Sequence, residues 1–266
     1  MSLPTPAPDR AAVVTGASSG IGAEIARDLV RRGHQVVLVA RTESKLAALA
    51  AELGDGAHVL AADLSDRDAR AALPDRVAAL GLVADILVNN AGLSTLGPVH
   101  RSDPEAEMRM VEVDVMAVVD LCSRFLPGMV GRGTGAILNV ASTAAFQPLP
   151  GQAGYGAGKV FVLSYTQSLS GELKGTGVSV TVLCPGPVDT GFGEAAGFTK
   201  EQADDALPAF MWIPADVVAR TAVDGLDKGK LVVIPGVGNK AGALFAKITP
   251  KRLLIPILTK QHPGLP

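Results

Sequence analysis

A chain of 266 residues with 48% hydrophobic side chains can bury a sizeable core, as two small domains or as one large α/β domain. The formal net charge is −2 and no long basic run appears, which excludes a broad positive field for nucleic acid; aromatic side chains, at 4%, are too few for a single-strand stacking platform. Cys122 and Cys184 lie far apart and read as small buried hydrophobes in a reducing compartment. His34, His58, His100 and His262 show no paired spacing, so no metal site is expected.

Residues 1–10 carry three prolines and no apolar run, and read as a disordered leader rather than a signal peptide. From residue 11, apolar runs of strand length alternate with helical patterns. Residues 11–15 are short, apolar and β-branched; residues 21–32 place Ile21, Ile25, Leu29 and Val30 at helical spacing. Residues 35–40 (QVVLVA) form a second strand, residues 43–53 an alanine- and leucine-rich helix, and residues 58–62 and 86–88 the next two strands. Residues 136–141, 178–184 and 231–234 complete seven.

Continuous apolar runs suit strands buried on both faces, and their alternation with helices is the pattern of right-handed βαβ units. The expected fold is therefore α/β: a single doubly wound Rossmann-type domain over residues 11–235, with a mostly or wholly parallel seven-stranded sheet. Residues 185–213 and 236–266 break the rhythm; the latter read as an extension that packs on the same domain or on a partner subunit. No run approaches the ~18 apolar residues that span a bilayer, and a cytoplasmic location is expected.

Thr15-Gly16-Ala17-Ser18-Ser19-Gly20-Ile21-Gly22 closes the first strand and opens the first helix. Glycines let backbone approach a pyrophosphate, and a helix start offers unpaired N–H groups and partial positive charge. The GxxxGxG spacing differs from the usual dinucleotide fingerprint, and an ordinary glycine-rich turn is the alternative; the strand–helix junction favours the phosphate site. The second strand ends Val39-Ala40-Arg41-Thr42 without the carboxylate that would hold the ribose hydroxyl of NAD. Arg41 suits a 2′-phosphate and stacking on adenine, so NADP(H) is expected in preference to NAD(H), against the alternative of a surface arginine.

Tyr155 and Lys159 stand four residues apart, on one face of a helix. A tyrosine with pKa near ~10 exchanges protons poorly at neutral pH, and a nearby cation favours phenolate. Thirteen residues upstream, Asn139-Val140-Ala141-Ser142 ends a buried strand and delivers a hydroxyl where parallel sheets bind ligands. Downstream, Cys184-Pro185-Gly186-Pro187-Val188-Asp189-Thr190 ends another strand.

Taken in order, TGASSGIG (15–22), Asp63-Leu64, Asn89-Asn90-Ala91-Gly92, Ser142, YGAGK (155–159) and PGPVDT (185–190) resemble the short-chain dehydrogenase/reductase family, over about residues 11–235. The resemblance implies that Ser142 holds and polarises the substrate oxygen and that Tyr155 transfers the proton. It implies that Lys159 binds the nicotinamide ribose and lowers the tyrosine pKa. Asp63 is then placed at the adenine, Asn90 at the adenosine ribose region, and Val188 and Thr190 at the carboxamide. Gly16, Ser18, Ser19, Gly20, Ile21, Gly22, Leu64, Ala91, Gly92, Pro185 and Gly186 join them as cofactor-binding residues. One position departs from the pattern. In Val111-Glu112-Val113-Asp114-Val115, aspartate stands where the family usually has an asparagine that anchors a water chain to the lysine. A role through the backbone carbonyl leaves Asp114 competent; a role through the side chain puts a carboxylate near Lys159 and alters the proton relay.

These readings converge on an oxidoreductase that passes hydride between NADP(H) and a hydrophobic carbonyl or secondary alcohol. The alternative is a cofactor-binding regulatory protein of the same fold with little turnover. Phe192, Phe198, Phe210, Met211 and Trp212 make residues 191–213 the expected substrate lid. The resemblance implies a homodimer or homotetramer, and the apolar Leu253, Leu254, Ile255, Ile257 and Leu258 in the tail read as an interface or an intrachain lid. Membrane contact aided by Lys247, Lys251, Arg252 and Lys260 is set behind these, since Pro250 and Pro256 should interrupt a long amphipathic helix.

Overall fold

The computed structural model describes residues 3–199, 208–261 and 265, so residues 200–207 of the expected lid, residues 1 and 2 of the leader and His262 lie outside the described residues. Its sheet comprises β1 (Arg10–Thr15), β2 (Gln35–Ala40), β3 (Ala57–Ala61), β4 (Val83–Asn89), β5 (Gly135–Val140), β6 (Val178–Leu183) and β7 (Val232–Val233). The spatial order is β3-β2-β1-β4-β5-β6-β7, with every pair parallel. Every residue of β5 and β6 is buried, so apolar side chains dominate both strands and the polar Asn139, Ser179 and Thr181 are buried among them.

Helices cover both faces. On one side α1 (Gly20–Arg31), α2 (Glu43–Leu53) and α8 (Ala215–Asp227) bury Ile25, Leu29, Leu46, Val218 and Leu226 against the sheet. On the other, α3 (Arg67–Ala79), α5 (Ala117–Arg132) and α6 (Ala153–Glu172) bury Leu73, Leu121, Met129 and Val162. Between α4 (Pro104–Val111) and α5 the helix widens into a π turn, Glu112–Met116, and a single turn, α7 (Phe192–Ala195), follows β6. Cys122 and Cys184 are free and buried, and burial pushes both thiols up to about 12.

The chain leaves β1 towards β2 and β3, then crosses back to lay β4 on β1's other side. That reversal opens a crevice above the carboxyl ends of β1 and β4. Thr15 fixes its floor: its buried Oγ1 donates to Val88 O at 3.0 Å and accepts from the N–H groups of Asn90 at 2.9 Å and Ala91 at 3.1 Å. Asn90 Nδ2 returns a bond to Thr15 O at 2.9 Å. Deeper, Asn89 donates to Asn139 Oδ1 at 2.8 Å and Asn139 to Thr166 Oγ1 at 2.9 Å, so β4, β5 and α6 share one buried polar ladder.

Two expectations are corrected. The leader is anchored from Leu3, whose N–H donates to Asp227 Oδ1 at 2.9 Å, while Gln35 donates to Pro8 O; prolines hold the segment extended along the domain. The tail is helical, as α9 (Val237–Ile248) and α10 (Lys251–Gln261). Pro250 separates the two, but Pro256 lies inside α10 on an exposed face, where water can satisfy the Arg252 carbonyl that its missing N–H leaves free. Leu254 is buried on the domain, whereas Leu253, Ile255 and Ile257 are exposed, so the expected apolar cluster divides between packing and solvent.

Thr15→Val keeps the shape of the buried side chain but removes the acceptor of two backbone N–H groups. A loss of about 2–6 kcal/mol is expected, from roughly 1–3 kcal/mol per unsatisfied buried group. Denaturant unfolding measures it, and an unchanged midpoint would remove the clamp from the account.

Candidate active site

The phosphate loop is shaped by what its glycines permit. Gly16 has φ 66°, and a Cβ there would lie 2.8 Å from the Ala91 Cα; a Cβ at Gly22 would collide with Gly16 O and Asn90 Nδ2. The loop can therefore interlock with Asn90-Ala91 and turn straight into α1. No carboxylate occupies the first turn of α1, and the Ser19 hydroxyl at its N-cap makes no capping bond. The partial positive charge and the hydroxyl both face the crevice uncompensated.

At the end of β2, Arg41 and Thr42 border the same cavity. Across from them, Asp63 accepts from Ser65 N at 2.9 Å and Ser65 Oγ at 2.7 Å. Burial pushes the Asp63 carboxyl up, but these donors, with Arg41 and Arg109 nearby, outweigh it and hold the group below its usual range.

The cavity encloses about 590 Å³ and extends from Arg41, past Gly20 and Asn90, to Ser142 and Tyr155. Of the residues expected at the cofactor or in catalysis, all line it except Gly22 and Asp114. Gly22 acts by letting the loop close, and Asp114 lies one layer beneath. Asn90 Nδ2 is engaged by Thr15 O, so its amide positions the loop.

Ser142 follows β5 and caps a 3-10 turn, Thr143–Phe146, its Oγ accepting from Ala144 N at 3.1 Å. Tyr155 and Lys159 rise from the first turns of α6 on one face, the Lys159 Nζ 5.4 Å from the centre of the Tyr155 ring. Phe192 covers the tyrosine from the other side, with ring centroids 5.9 Å apart. Lys159 Nζ lies 3.0 Å from Asp114 Oδ2 and donates to Val140 O at 3.3 Å. Asp114 Oδ1 accepts from Leu93 N at 2.7 Å, and Oδ2 has no other donor among the described residues. Lysine and aspartate are 4% and 1% exposed, a buried ion pair.

The π turn puts Asp114 there, since one extra residue in the turn rotates its side chain towards Leu93 and Lys159. Gly158 of α6 faces the π turn, where a Cβ would stand in ordinary contact, 3.4 Å from Val115 Cγ2 and 3.8 Å from Asp114 Cβ. Burial pushes the Asp114 carboxyl up, against the pull of Lys159 and Leu93. Burial opposes the Lys159 charge, yet Asp114 and Tyr155 together raise its pKa. Burial likewise raises the Tyr155 phenol; Lys159 and a hydrogen bond with Ser142 pull it down, and Asp114 adds to the rise.

Sequence reasoning missed several wall residues. Gln147, Leu149 and Gln152 belong to the connection between Ser142 and Tyr155, a placement that could have flagged them. Leu258 of α10 also lines the cavity. Asn239 on α9 donates to Met211 O at 3.0 Å and Pro235 O at 3.1 Å, and a Cβ at Gly186 would collide with its carboxamide. Neither residue carries a recognisable signal.

A cleft with a glycine-rich strand–helix junction at one end and a serine, tyrosine and lysine at the other fits a nicotinamide-dependent oxidoreductase. Residues 10–201 match the short chain dehydrogenase family. The chain is 37% identical over 230 residues to an NADP-dependent 3-hydroxy acid dehydrogenase of Salmonella typhi, covering 79% of this chain and 92% of that protein. A short-chain dehydrogenase from Sphingobium yanoikuyae, solved in complex with NADPH, superposes with a TM-score of 0.78 at 35% identity, covering 88% of this chain and 92% of that one. A structure described for 7β-hydroxysteroid dehydrogenase stereoselectivity superposes with a TM-score of 0.84 at 26% identity, covering 97% and 99%. The chain belongs to the short-chain dehydrogenase family. It is an NAD(P)-dependent oxidoreductase acting on CH–OH or C=O groups.

Asp114→Asn is nearly isosteric, keeps an acceptor for Leu93 N, and removes the charge that raises the Tyr155 pKa. With Tyr155 as the expected proton-transfer residue, alcohol oxidation would need the phenolate, and its rate would rise with pH through that pKa. The variant is expected to stay active and to shift this limb to lower pH. Superimposable pH–rate profiles at saturating NADP⁺ would rule the electrostatic effect out.

Proposed function

We propose that the protein reduces hydrophobic ketones or aldehydes, or oxidises the matching secondary alcohols, with NADP(H) as the preferred cofactor. The observation that carries this reading is the convergence of Ser142, Tyr155 and Lys159 at one end of a cavity whose other end is bounded by Arg41. When bound, the nicotinamide group supplies or accepts the hydride. Ser18, Ser19, Gly20 and Ile21 would hold the pyrophosphate at the start of α1, Arg41 the 2′-phosphate, and Asp63 and Leu64 the adenine. Asn90, Ala91 and Gly92 would border the adenosine ribose, and Lys159 would hold the nicotinamide ribose. Pro185, Gly186, Val188 and Thr190 would frame the carboxamide.

In reduction, the Ser142 hydroxyl donates a hydrogen bond to the substrate oxygen and orients it. Tyr155 Oη gives its proton to that oxygen as the carbonyl carbon becomes CH–OH, and Lys159 stabilises the phenolate left behind. Oxidation runs the same proton back to Oη. Leu93, Leu149, Phe192, Phe198, Trp212 and Leu258 line the substrate end, which supports an apolar substrate. Exposed Met116, Val160 and Phe161 support self-association as a homodimer or homotetramer. A regulatory role without turnover is not favoured beside an intact catalytic set, and a cytoplasmic location is part of the proposal.

Tyr155→Phe is expected to bind NADPH normally, by fluorescence titration, and to lose at least about 10²-fold in turnover across a panel of apolar ketones and aldehydes. Near-normal reduction by this variant would overturn the mechanism. Arg41→Asp is expected to lower kcat/KM for NADPH by roughly 10- to 100-fold and to spare NADH, since a charge-assisted bond to phosphate contributes about 1.5–3 kcal/mol. Equal kcat/KM for both cofactors in the unaltered protein would sink the preference.

A further inference from the structure

The near-neutral charge conceals an asymmetry along the chain. No aspartate or glutamate follows Asp227, whereas seven lysines and arginines do. Those cations fall largely on the two C-terminal helices, and these helices also expose large apolar side chains.

On α9, Asn239, Ala243 and Ala246 are buried against the domain. Val237, Ala241, Leu244, Phe245 and Ile248 recur on the opposite side, within an arc of roughly 100° at 3.6 residues per turn. Leu244, Phe245 and Ile248 are 60%, 59% and 71% exposed. Lys240 and Lys247 flank this stripe on the side nearer the domain, where their stems can follow the apolar surface while the ammonium groups reach past it. On α10, Leu253, Ile255 and Ile257 are exposed beside Arg252 and Lys260, while Leu254 is buried. Lys251 Nζ donates to Ala246 O at 3.2 Å and Phe146 O at 3.1 Å, holding α10 to the end of α9 and to the domain.

An apolar stripe edged by cations, with no acidic residue on either helix, has the chemistry of an interfacial helix on an anionic lipid surface. A second copy is a poorer occupant. An antiparallel two-fold contact sets the same edge of the stripe against itself, which would bring Lys240 and Lys247 of both copies together with no carboxylate on these helices to pair them. No helix of the described residues is long and apolar enough to cross a membrane, so the contact would be a seating on the surface.

We propose that the outer face of α9, joined by the exposed apolar side chains of α10, seats the protein on a bilayer containing anionic phospholipid. Leu258 of α10 lines the cavity, so seating places the substrate end of the site beside the bilayer. That last consequence rests on the hydrophobic-substrate reading; the binding itself does not.

The test is co-sedimentation of the full chain, without substrate or cofactor, with vesicles of equal parts phosphatidylcholine and phosphatidylglycerol, and with vesicles of phosphatidylcholine alone. At about 0.1 M salt, where screening is partial, binding to the anionic vesicles is expected to be about tenfold tighter or more and to weaken as salt rises. Lys240→Gln and Lys247→Gln should each weaken it about fivefold. The triple variant Leu244→Ser, Phe245→Ser, Ile248→Ser should abolish it while keeping turnover of a water-soluble carbonyl, which reports folding. Equal binding to neutral vesicles, binding that survives the triple substitution, or no binding to either vesicle would overturn the proposal. A dimer in sedimentation velocity that dissolves in the triple variant, without vesicle binding, would overturn it in favour of a second copy.

Discussion

Burying the Lys159 ammonium removes it from water at a cost of several kcal/mol, which only paired charge and aimed dipoles can offset. Asp114 provides the charge and the Val140 carbonyl the dipole, at 3.0 and 3.3 Å. Much of the local architecture follows from that requirement. Asp114 reaches the lysine because the helix widens into a π turn that packs against α6 at Gly158. A Cβ at position 92 would stand 3.3 Å from Nζ, so glycine in the Asn-Asn-Ala-Gly segment leaves the ammonium room. The Asn89–Asn139–Thr166 ladder then holds α6 on β4 and β5, which fixes the height of Tyr155 above the sheet.

The same ion pair sets the electrostatics around Tyr155. Lys159 stabilises phenolate, but a carboxylate beside it cancels part of that field, and burial of the phenol acts in the same direction. Tyr155 therefore sits above its ordinary value in the protein without ligands. A phenol that stays protonated at neutral pH is suited to give a proton, the direction needed for carbonyl reduction, and is poorly suited to begin oxidation. Asparagine at position 114 would keep the acceptor for Leu93 N and lose this bias. Under the proposed roles, aspartate preserves the scaffold and favours the protonated, proton-donating form of Tyr155.

The parallel core was legible because strands buried on both faces are rich in apolar residues, even where Asn139, Ser179 and Thr181 interrupt them. Residues 35–40 and 43–53 read directly as the second strand and second helix, and those are the observed bounds of β2 and α2. The expected strand at 231–234 shrinks to Val232–Val233 because it lies at the sheet edge, where only two residues find partners on β6. Helix α3 is harder to read, since Arg67, Arg70, Pro74 and Arg76 dilute its apolar face; Arg70 is nonetheless buried, donating to Leu64 O at 2.7 Å. The departure at Asp114 was visible in the sequence. The π turn that aims it was not, because a single extra residue in a helical turn leaves no periodic signature. Proline misled twice, at a leader it stiffens and in α10, where one lost hydrogen bond on a wet face does not end the helix.

The C-terminal helices belong to the site as much as to the surface. Asn239 joins α9 to Met211 in the expected lid and presses on Gly186, beside the carboxyl end of β6. Pro185 O in turn accepts from Thr143 N at 2.9 Å, next to Ser142. Lys251 holds Phe146 O at the far end of the same 3-10 turn, and Leu258 closes part of the cavity wall. Ser142, the loop after β6 and the lid are thus bound to a pair of helices whose outer faces are apolar and cationic. These contacts are separate from the Lys159–Asp114 pair, which is anchored to β5 and the Leu93 backbone. The ion pair is thus held by the sheet side of the fold, whereas this part of the cavity wall is held by the tail.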